Sequence, residues 1–194
     1  MSRSLNLSNS ELIEKSVANN ESELTHTGAL LSLTGNRTGR SPKDRFIVQE
    51  SSTKDKIDWG DVNKPFDSNH FDKLWEKVSA YLDDKEHYVS NVHVGSNKDH
   101  YIPVEVKSEL AWHSLFSKLI FISPEIFNEE NKEVWKIVTA ANYVCDPEED
   151  HTNSESCVII NFLRRKVLIA GMKYAGEMKK SMFAVQNFLL PEKG

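Results

Sequence analysis

CVIINFLRRKVLIA, at residues 157–170, is the stretch whose pattern says most about the architecture. Apolar runs at residues 157–162 and 166–170 enclose the short segment 163–165, which contains two adjacent arginines. Short apolar runs rich in Val and Ile are typical of buried strands, and two of them joined by so few residues predict a β-hairpin. The turn contains no glycine, which is unusual for a tight hairpin.

Outward from this hairpin, the pattern predicts further strands and helices in irregular alternation. Residues 8–11 (SNSE) form a capping-box pattern that begins a short helix, and Phe71, Leu74, Val78 and Leu82 recur at helical spacing. Strands are also predicted at residues 45–48, 88–94, 101–106 and 119–122, and helices at residues 110–116 and 178–190. Since strands and helices do not alternate strictly, the predicted class is α/β (α+β), a mixed β-sheet flanked by helices.

Length and composition describe a globular chain without an obvious macromolecular partner. The 194 residues fit one domain or a large part of a bigger enzyme, and 39% hydrophobic content with four tryptophans predicts a packed core. A formal net charge of −5 gives no general attraction for nucleic acid or acidic membranes. The sequence has no 18-residue apolar stretch and no signal-peptide core, so we expect a cytoplasmic protein.

The two cysteines, Cys145 and Cys157, form no CxxC motif. One pair in a chain of this length does not make a disulfide framework, so we expect two free buried thiols. Free thiols suit a reducing compartment, in agreement with the expected cytoplasmic location.

A first candidate site lies at residues 38–45, TGRSPKDR. Gly39 precedes Arg40, so the backbone can approach a ligand closely while the guanidinium binds a carboxylate or phosphate through two parallel hydrogen bonds. A basic surface turn, with Asp44 paired to a neighbouring cation, would show the same pattern. The segment does not match a nucleotide-binding loop, because no Gly-Lys-Ser or Gly-Lys-Thr follows.

A second candidate site lies at residues 174–180, YAGEMKK. Neighbouring ammonium groups disfavour each other's protonation, and a metal ion favours the neutral amine as a ligand. One of Lys179 and Lys180 could therefore hold a metal ion while the other stabilises a developing oxyanion. A solvated helix face would carry the same residues, and both interpretations stay open.

Other catalytic patterns are absent from the sequence. The seven histidines form no HExxH or zinc-finger spacing, and the chain contains neither a GxSxG motif nor interleaved aromatic and basic residues. Residue types and spacing alone thus indicate an anion-binding globule.

Both candidate sites resemble signature segments of one enzyme family. Residues 34–48 (TGNRTGRSPKDRFIV) closely resemble the early signature of ATP-dependent phosphoenolpyruvate carboxykinases, and residues 174–183 (YAGEMKKSMF) resemble a second signature. Residues 59–66 (WGDVNKPF) and 111–116 (AWHSLF) also look like family segments, in the family's order. The similarity runs from about residue 8 to the end, and four ordered matches are far more specific than one motif.

The resemblance implies an enzyme that converts oxaloacetate and ATP into phosphoenolpyruvate, carbon dioxide and ADP in gluconeogenesis. Arg40 matches the family arginine that binds the substrate carboxylate, and Tyr174 matches a substrate-contacting tyrosine. Lys180 matches a lysine that binds substrate and ligates the active-site Mn2+, and Lys179 matches its charged catalytic neighbour. Gly176 lies in the same substrate-binding segment, where a missing side chain lets the backbone approach substrate. The implied cofactors are Mn2+ and Mg-ATP.

Residues 1–194 match one part of such an enzyme, its single N-terminal, substrate-side domain. In the family, a metal-ligating histidine, a P-loop ending in Gly-Lys-Thr and an acidic metal ligand follow in a C-terminal nucleotide-binding domain, which this sequence lacks. We therefore expect a monomeric partial enzyme that is inactive without that domain and binds neither nucleic acid nor membranes. The alternative is a catalytically dead relative that keeps the anion site for sensing or protein contact.

Four positions depart from the family pattern. Tyr101 and Glu105 occupy positions where arginine is common, and Met172 and His151 also differ from the usual residues. The change at Glu105 reverses a charge, which raises the question of altered local electrostatics or an altered regulatory surface. None of the four matches a substrate or metal contact.

Overall fold

The computed structural model describes residues 3–191, which form ten strands and four helices. The strands are β1 (Arg3–Leu5), β2 (Ser22–Leu24), β3 (Leu30–Ser32), β4 (Arg45–Val48), β5 (Lys64–Phe66), β6 (His87–Val94), β7 (Ile102–Ser108), β8 (Trp135–Ala140), β9 (Cys157–Asn161) and β10 (Lys166–Ala170). The helices are α1 (Asn9–Ala18), α2 (Ser68–Asp83), α3 (Ala111–Ile120) and α4 (Gly176–Leu189). A short 3-10 turn, Pro42–Asp44, leads directly into β4.

Eight of the strands form one mixed sheet in the order β1-β6-β7-β8-β10-β9-β4-β5, while β2 and β3 form a separate antiparallel pair. Within the sheet, β6 is antiparallel to β7 and β9 is antiparallel to β10, and the other neighbours are parallel. Helix α2 covers one face of the sheet, whereas α3 and α4 cover the other, with α1 packed against α3. This architecture confirms the predicted mixed sheet flanked by helices.

The predicted hairpin at residues 157–170 is confirmed by the antiparallel pairing of β9 with β10. All residues of β9 and all but the first of β10 are buried, because helices cover both faces of the sheet. The turn needs no glycine, since Arg165 itself adopts the left-handed conformation with φ of 51°.

One predicted strand, at residues 119–122, is wrong. The first two of these residues complete α3, and Leu119 is 67% exposed. Ile122 makes only an isolated bridge to His93, near the end of β6. The N–H of Phe121 is still bonded within the helix, and a four-residue apolar run cannot be distinguished from a helix end by composition.

Other predicted features agree with the structure. The side chains of Ser8 and Glu11 form the complete capping box at the start of α1, and the apolar face of α2 is buried. Cys145 and Cys157 are free, buried thiols whose sulfur atoms lie 3.8 Å apart. Among the helices formed by residues 3–191, none is long and apolar enough to cross a membrane.

Gly171, the residue after β10, is required by the backbone around it. Its φ is +72°, and a Cβ at this position would lie 2.2 Å from the carbonyl oxygen of Glu155. We expect Gly171→Ala to lower the free energy of unfolding by about 3 kcal/mol or more, because left-handed strain of about 1–2 kcal/mol adds to this clash. Urea denaturation of the purified chain measures the loss.

Gly60→Ala is the matched control for this substitution. A Cβ at Gly60 would meet no atom within 4 Å, and the φ of Gly60 lies outside the left-handed region. The control should change the free energy of unfolding by less than about 0.5 kcal/mol. Equal stability of the two variants would contradict the requirement for glycine at position 171.

Candidate functional site

Both candidate segments lie at one edge of the central sheet. Arg45 pairs with Val158, and Ala170 pairs with both Cys157 and Ala140, so the starts of β4 and β9 lie beside the ends of β8 and β10. The loops that precede β4, precede β9 and follow β10 therefore meet at this edge. These loops contain residues 37–44, 150–156 and 171–175.

Asp44 organises the loop that carries Arg40. Its side chain is buried and accepts hydrogen bonds from Arg37 Nη1 at 2.8 Å, from Ser154 Oγ at 2.8 Å and from the Ser41 hydroxyl. Burial acts to raise the pKa of Asp44, but these hydrogen bonds and the charge of Arg37 outweigh it, so the pKa is lowered. The interpretation of Asp44 as the partner of a cation is thus correct for Arg37, and the guanidinium of Arg40 is not used in this pair.

The Arg40 side chain is exposed, and it forms no hydrogen bond or ion pair with the rest of residues 3–191. It lines a cavity of about 560 Å3 whose cationic lining residues also include Arg37, Lys43 and Lys64. Asp44 is the one acid among the described lining residues, and its charge is offset by Arg37. The cavity therefore keeps a net positive charge that favours a small anion.

A hydrogen bond joins the two candidate segments. The backbone N–H of Ser41 donates to Oε1 of Glu177 at 3.0 Å. Glu177 lies in the first turn of α4 and is only 2% exposed. The residue that follows Arg40 is therefore fixed to the helix that carries Lys179 and Lys180.

Tyr174 folds back over Gly176 at the start of α4. A Cβ on Gly176 would lie 2.6–2.7 Å from Cζ, Cε1 and Oη of the tyrosine. The glycine thus makes room for the Tyr174 ring, a role additional to any approach of its backbone to substrate. The ring is half-buried, and its hydroxyl forms no hydrogen bond within residues 3–191, so the hydroxyl is free to bind a ligand.

Lys179 and Lys180 point in different directions from α4, because successive helical residues are rotated by about 100°. Lys180 is half-buried, with Nζ 5.6 Å from the centre of the Phe183 ring. Lys179 is exposed and lines a separate cavity of about 250 Å3 between α4 and the end of α3. The structure brings the two segments together but places Lys179 beside a different cavity from Arg40. Their joint action on one substrate stays a prediction.

Comparison with known proteins decides the family. A family model described as phosphoenolpyruvate carboxykinase matches residues 2–194. The chain belongs to the phosphoenolpyruvate carboxykinase family. The phosphoenolpyruvate carboxykinase (ATP) of Bacillus subtilis (strain 168) is 46% identical over 190 residues, and that of Geobacillus kaustophilus (strain HTA426) is 48% identical over 190 residues. Each alignment covers 97% of this chain and 36% of the relative, so the chain spans about a third of the length of these carboxykinases.

Two of the four positions that the sequence analysis sets apart, Tyr101 and Glu105, lie away from the joined segments. The Tyr101 ring stacks on His93 with 4.2 Å between ring centres, and Lys132 Nζ lies 3.9 Å from the Tyr101 ring centre. Glu105, on β7, forms an ion pair with Arg3 at 3.7 Å. Strands β8 and β10 separate β7 from the strands that begin beside the Arg40 loop, so Glu105 lies outside the candidate site.

The other two positions have local structural roles. Met172 is 2% exposed and packs in the core between the sheet and α4. His151 adopts a left-handed φ of 57°, and its ring stacks on His70 with 3.7 Å between ring centres. Met172 therefore contributes packing, and His151 holds the loop before β9 against α2.

His113 is a buried residue of α3 that the sequence pattern does not single out. Its Nε2 lies 2.8 Å from the carbonyl oxygen of Lys173, and its Nδ1 lies 3.2 Å from Thr139 Oγ1. The chain immediately before Tyr174 is thereby tied to α3. Burial lowers the pKa of His113 to about 4, so the imidazole is neutral at physiological pH.

The low pKa of His113 makes stability depend on pH. Since the unfolded imidazole titrates near 6.5 and the folded one near 4, the unfolded state binds more protons between these values. Stability from this residue is therefore complete above about pH 6.5 and falls as the pH drops toward 4. We expect the stability advantage of the natural chain over His113→Gln to shrink by roughly 2–3 kcal/mol between pH 7.5 and 4.5.

Urea denaturation of both proteins at the two pH values measures this change. The His113→Gln variant removes the titrating group, so titration of other acidic residues cancels in the comparison. An advantage that stays constant across the two pH values would contradict a buried neutral imidazole.

Lys180 is the residue matched to a metal ligand, and it offers a single nitrogen. Residues 3–191 contain no group of three or more His, Cys, Asp and Glu side chains that could hold a metal ion. Divalent ions in proteins take four or more ligands. The described residues do not form a metal site by themselves, so Lys180 would be one donor among ligands supplied from elsewhere.

Proposed function

We propose that this chain forms the substrate-side part of an ATP-dependent phosphoenolpyruvate carboxykinase. The observation that carries the proposal is the hydrogen bond from the Ser41 N–H to Glu177, which holds the Arg40 loop against the start of α4. The chain spans 36% of the length of the relatives named above, so the activity is proposed for a protein that also carries their remaining part. We call that protein the complete enzyme, and we propose that its remaining part includes a nucleotide-binding domain.

The proposed reaction places a clear electrostatic demand on the site. The C–C bond that joins the departing carboxylate to the rest of oxaloacetate breaks, and carbon dioxide leaves. The electron pair of that bond forms an enolate. The enolate oxygen then attacks the γ-phosphorus of ATP, and the bond from that phosphorus to ADP breaks. Fixed positive charge near the enolate oxygen and the remaining carboxylate lowers the barrier, because negative charge develops there.

The free side chains at the sheet edge suit these tasks. Arg40 would bind the remaining carboxylate through two parallel hydrogen bonds, and the Tyr174 hydroxyl would donate to the same substrate. Lys179 would hold positive charge near the enolate and the transferred phosphoryl group, whereas Lys180 would act as a neutral amine. The divalent metal that the proposal assigns to the complete enzyme, Mn2+, would add positive charge there, with Lys180 as one of its ligands.

The proposed setting is the cytosol, with the complete enzyme acting as a monomer in gluconeogenesis. The free thiols of Cys145 and Cys157 support a reducing compartment, because disulfides form and persist mainly in oxidising compartments. The net charge of −5 supports the absence of nucleic-acid and membrane partners.

A direct assay tests the proposed function. We expect the complete enzyme to form phosphoenolpyruvate from oxaloacetate in an ATP-dependent manner and the 194-residue chain alone to show no turnover. A complete protein that binds oxaloacetate yet forms no phosphoenolpyruvate would instead support the non-catalytic anion-binding alternative. Turnover by the chain alone would contradict the assignment of ATP binding to the remaining part.

A further inference from the structure

The buried carboxylate of Glu177 has no part in the proposed chemistry. It lies in the first turn of α4, where the helix dipole favours an acid, yet it is 2% exposed. A buried carboxylate is unfavourable unless hydrogen bonds and opposite charges compensate for lost hydration. The N–H of Ser41 supplies one such hydrogen bond, at 3.0 Å.

One guanidinium group supplies opposite charge near Glu177. Arg45, half-buried at the start of β4, is close enough to both Arg40 and Glu177 for their charges to act on it. Burial and the like charge of Arg40 lower the pKa of Arg45, whereas the negative charge of Glu177 acts to raise it. Glu177 therefore provides negative charge that partly compensates Arg45, which also lies near the like charge of Arg40.

Ser41 is fixed from two directions, and it adjoins Arg40. Its N–H is bound to Glu177, and its hydroxyl is bound to the buried carboxylate of Asp44. Glu177 also lies three residues before Lys180, on the same side of α4. The Ser41 hydrogen bond thus sets the separation between the backbone at Arg40 and the helix turn that carries Lys180.

We propose that Glu177 is a positioning residue that docks the Arg40 loop onto α4 and offsets the charge of Arg45. It acts through Ser41, which adjoins Arg40, and through Arg45, and it does not itself touch substrate. The catalytic consequence rests on the proposed function, whereas the docking is a property of the chain itself.

Amide hydrogen exchange at Ser41 tests the docking independently of activity. We expect Glu177→Ala to accelerate exchange at Ser41 about tenfold or more, because the acceptor is lost. Glu177→Gln keeps a carbonyl oxygen as acceptor, so exchange should stay close to that of the natural chain. Glu14→Ala, an exposed acid of α1, is the control and should have no effect. Unchanged Ser41 exchange in folded Glu177→Ala would overturn the proposal.

Thermal denaturation tests the charge role and also serves if Glu177→Ala fails to fold. We expect Glu177→Gln to lower the midpoint by about 3 °C or more, since Arg45 loses its compensating charge. Adding Arg45→Met should recover most of this loss, because the two residues act as a pair. Strictly additive losses in the double variant would overturn the charge role.

Steady-state kinetics of the complete enzyme test the consequence for substrate. We expect Glu177→Ala to raise the KM for oxaloacetate about tenfold with a smaller change in kcat, and Glu177→Gln to restore most of the affinity. Loss of stability with an unchanged KM would show a merely structural residue and overturn the positioning role. If the natural complete enzyme were inactive, the proposed function would be wrong. The docking of the Arg40 loop by Glu177 would still be tested by amide exchange at Ser41.

Discussion

Replacing Lys180 by alanine is expected to lower kcat of the complete enzyme about 1,000-fold while leaving the fold intact. Lys180 is proposed as a ligand of the metal ion, and loss of the positive charge that this ion would hold near a developing oxyanion removes roughly 3–4 kcal/mol of transition-state stabilisation. The fold should persist because the Lys180 ammonium forms no hydrogen bond or ion pair within residues 3–191. Steady-state assays give kcat, and thermal denaturation checks the fold.

Lys73→Ala is the matched control for Lys180→Ala. Lys73 is an exposed lysine of α2, which packs on the opposite face of the sheet from α4. Its loss should leave kcat unchanged. Near-normal turnover in Lys180→Ala would remove the metal-ligand role proposed for this residue.

Arg40 is expected to produce the second large effect, on kcat/KM for oxaloacetate. Arg40→Ala should lower this constant about 1,000-fold, because two charge-assisted hydrogen bonds to a carboxylate are lost. Arg40→Lys keeps the charge but cannot form the planar two-bond contact, so we expect a loss of about 100-fold. The loss in Arg40→Lys reports the geometry of the two-bond contact, and the additional loss in Arg40→Ala reports the charge.

Arg164→Lys is a suitable control for the Arg40 series. Arg164 is an exposed arginine in the turn between β9 and β10, at the opposite end of the sheet from the Arg40 loop, and it pairs with Asp72. Its replacement should leave kcat/KM for oxaloacetate unchanged. If Arg40→Lys and Arg164→Lys behave alike, the bidentate contact at Arg40 is excluded.

The elements that could be predicted from sequence are those with local signals. The hairpin at residues 157–170 has two apolar runs of strand length, and α2 has a complete helical period. Strand β8 (WKIVTA) has the β-branched and aromatic composition of a strand, but its place between β7 and β10 depends on segments that are distant in sequence. The error at residues 119–122 has a similar origin, since only the tertiary structure shows that residues 119 and 120 complete α3.

The site shows the same division between local and long-range information. Arg40 and the lysine pair lie in motifs that the sequence displays directly, and Asp44 stands out as an acid among cations. Glu177 gives no such signal, because a buried carboxylate and a surface carboxylate look identical in sequence. Its burial follows from a sheet order that brings residues 41 and 177 to one edge.

The relation between Tyr174 and Gly176 also becomes clear only in three dimensions. The motif predicts a glycine where a backbone approaches substrate. The structure adds that the Tyr174 ring occupies the space that a side chain at position 176 would need. Gly176 therefore allows the Tyr174 side chain to take its observed position.

A crystal structure of the complete enzyme with oxalate, an unreactive dicarboxylate, tests most directly whether the two segments form one substrate site. We expect the Arg40 guanidinium and the Tyr174 hydroxyl to lie within hydrogen-bond distance of the same oxalate, with Lys180 beside it. Oxalate bound at another place, with Arg40 directed away from Tyr174 and Lys180, would contradict a shared site.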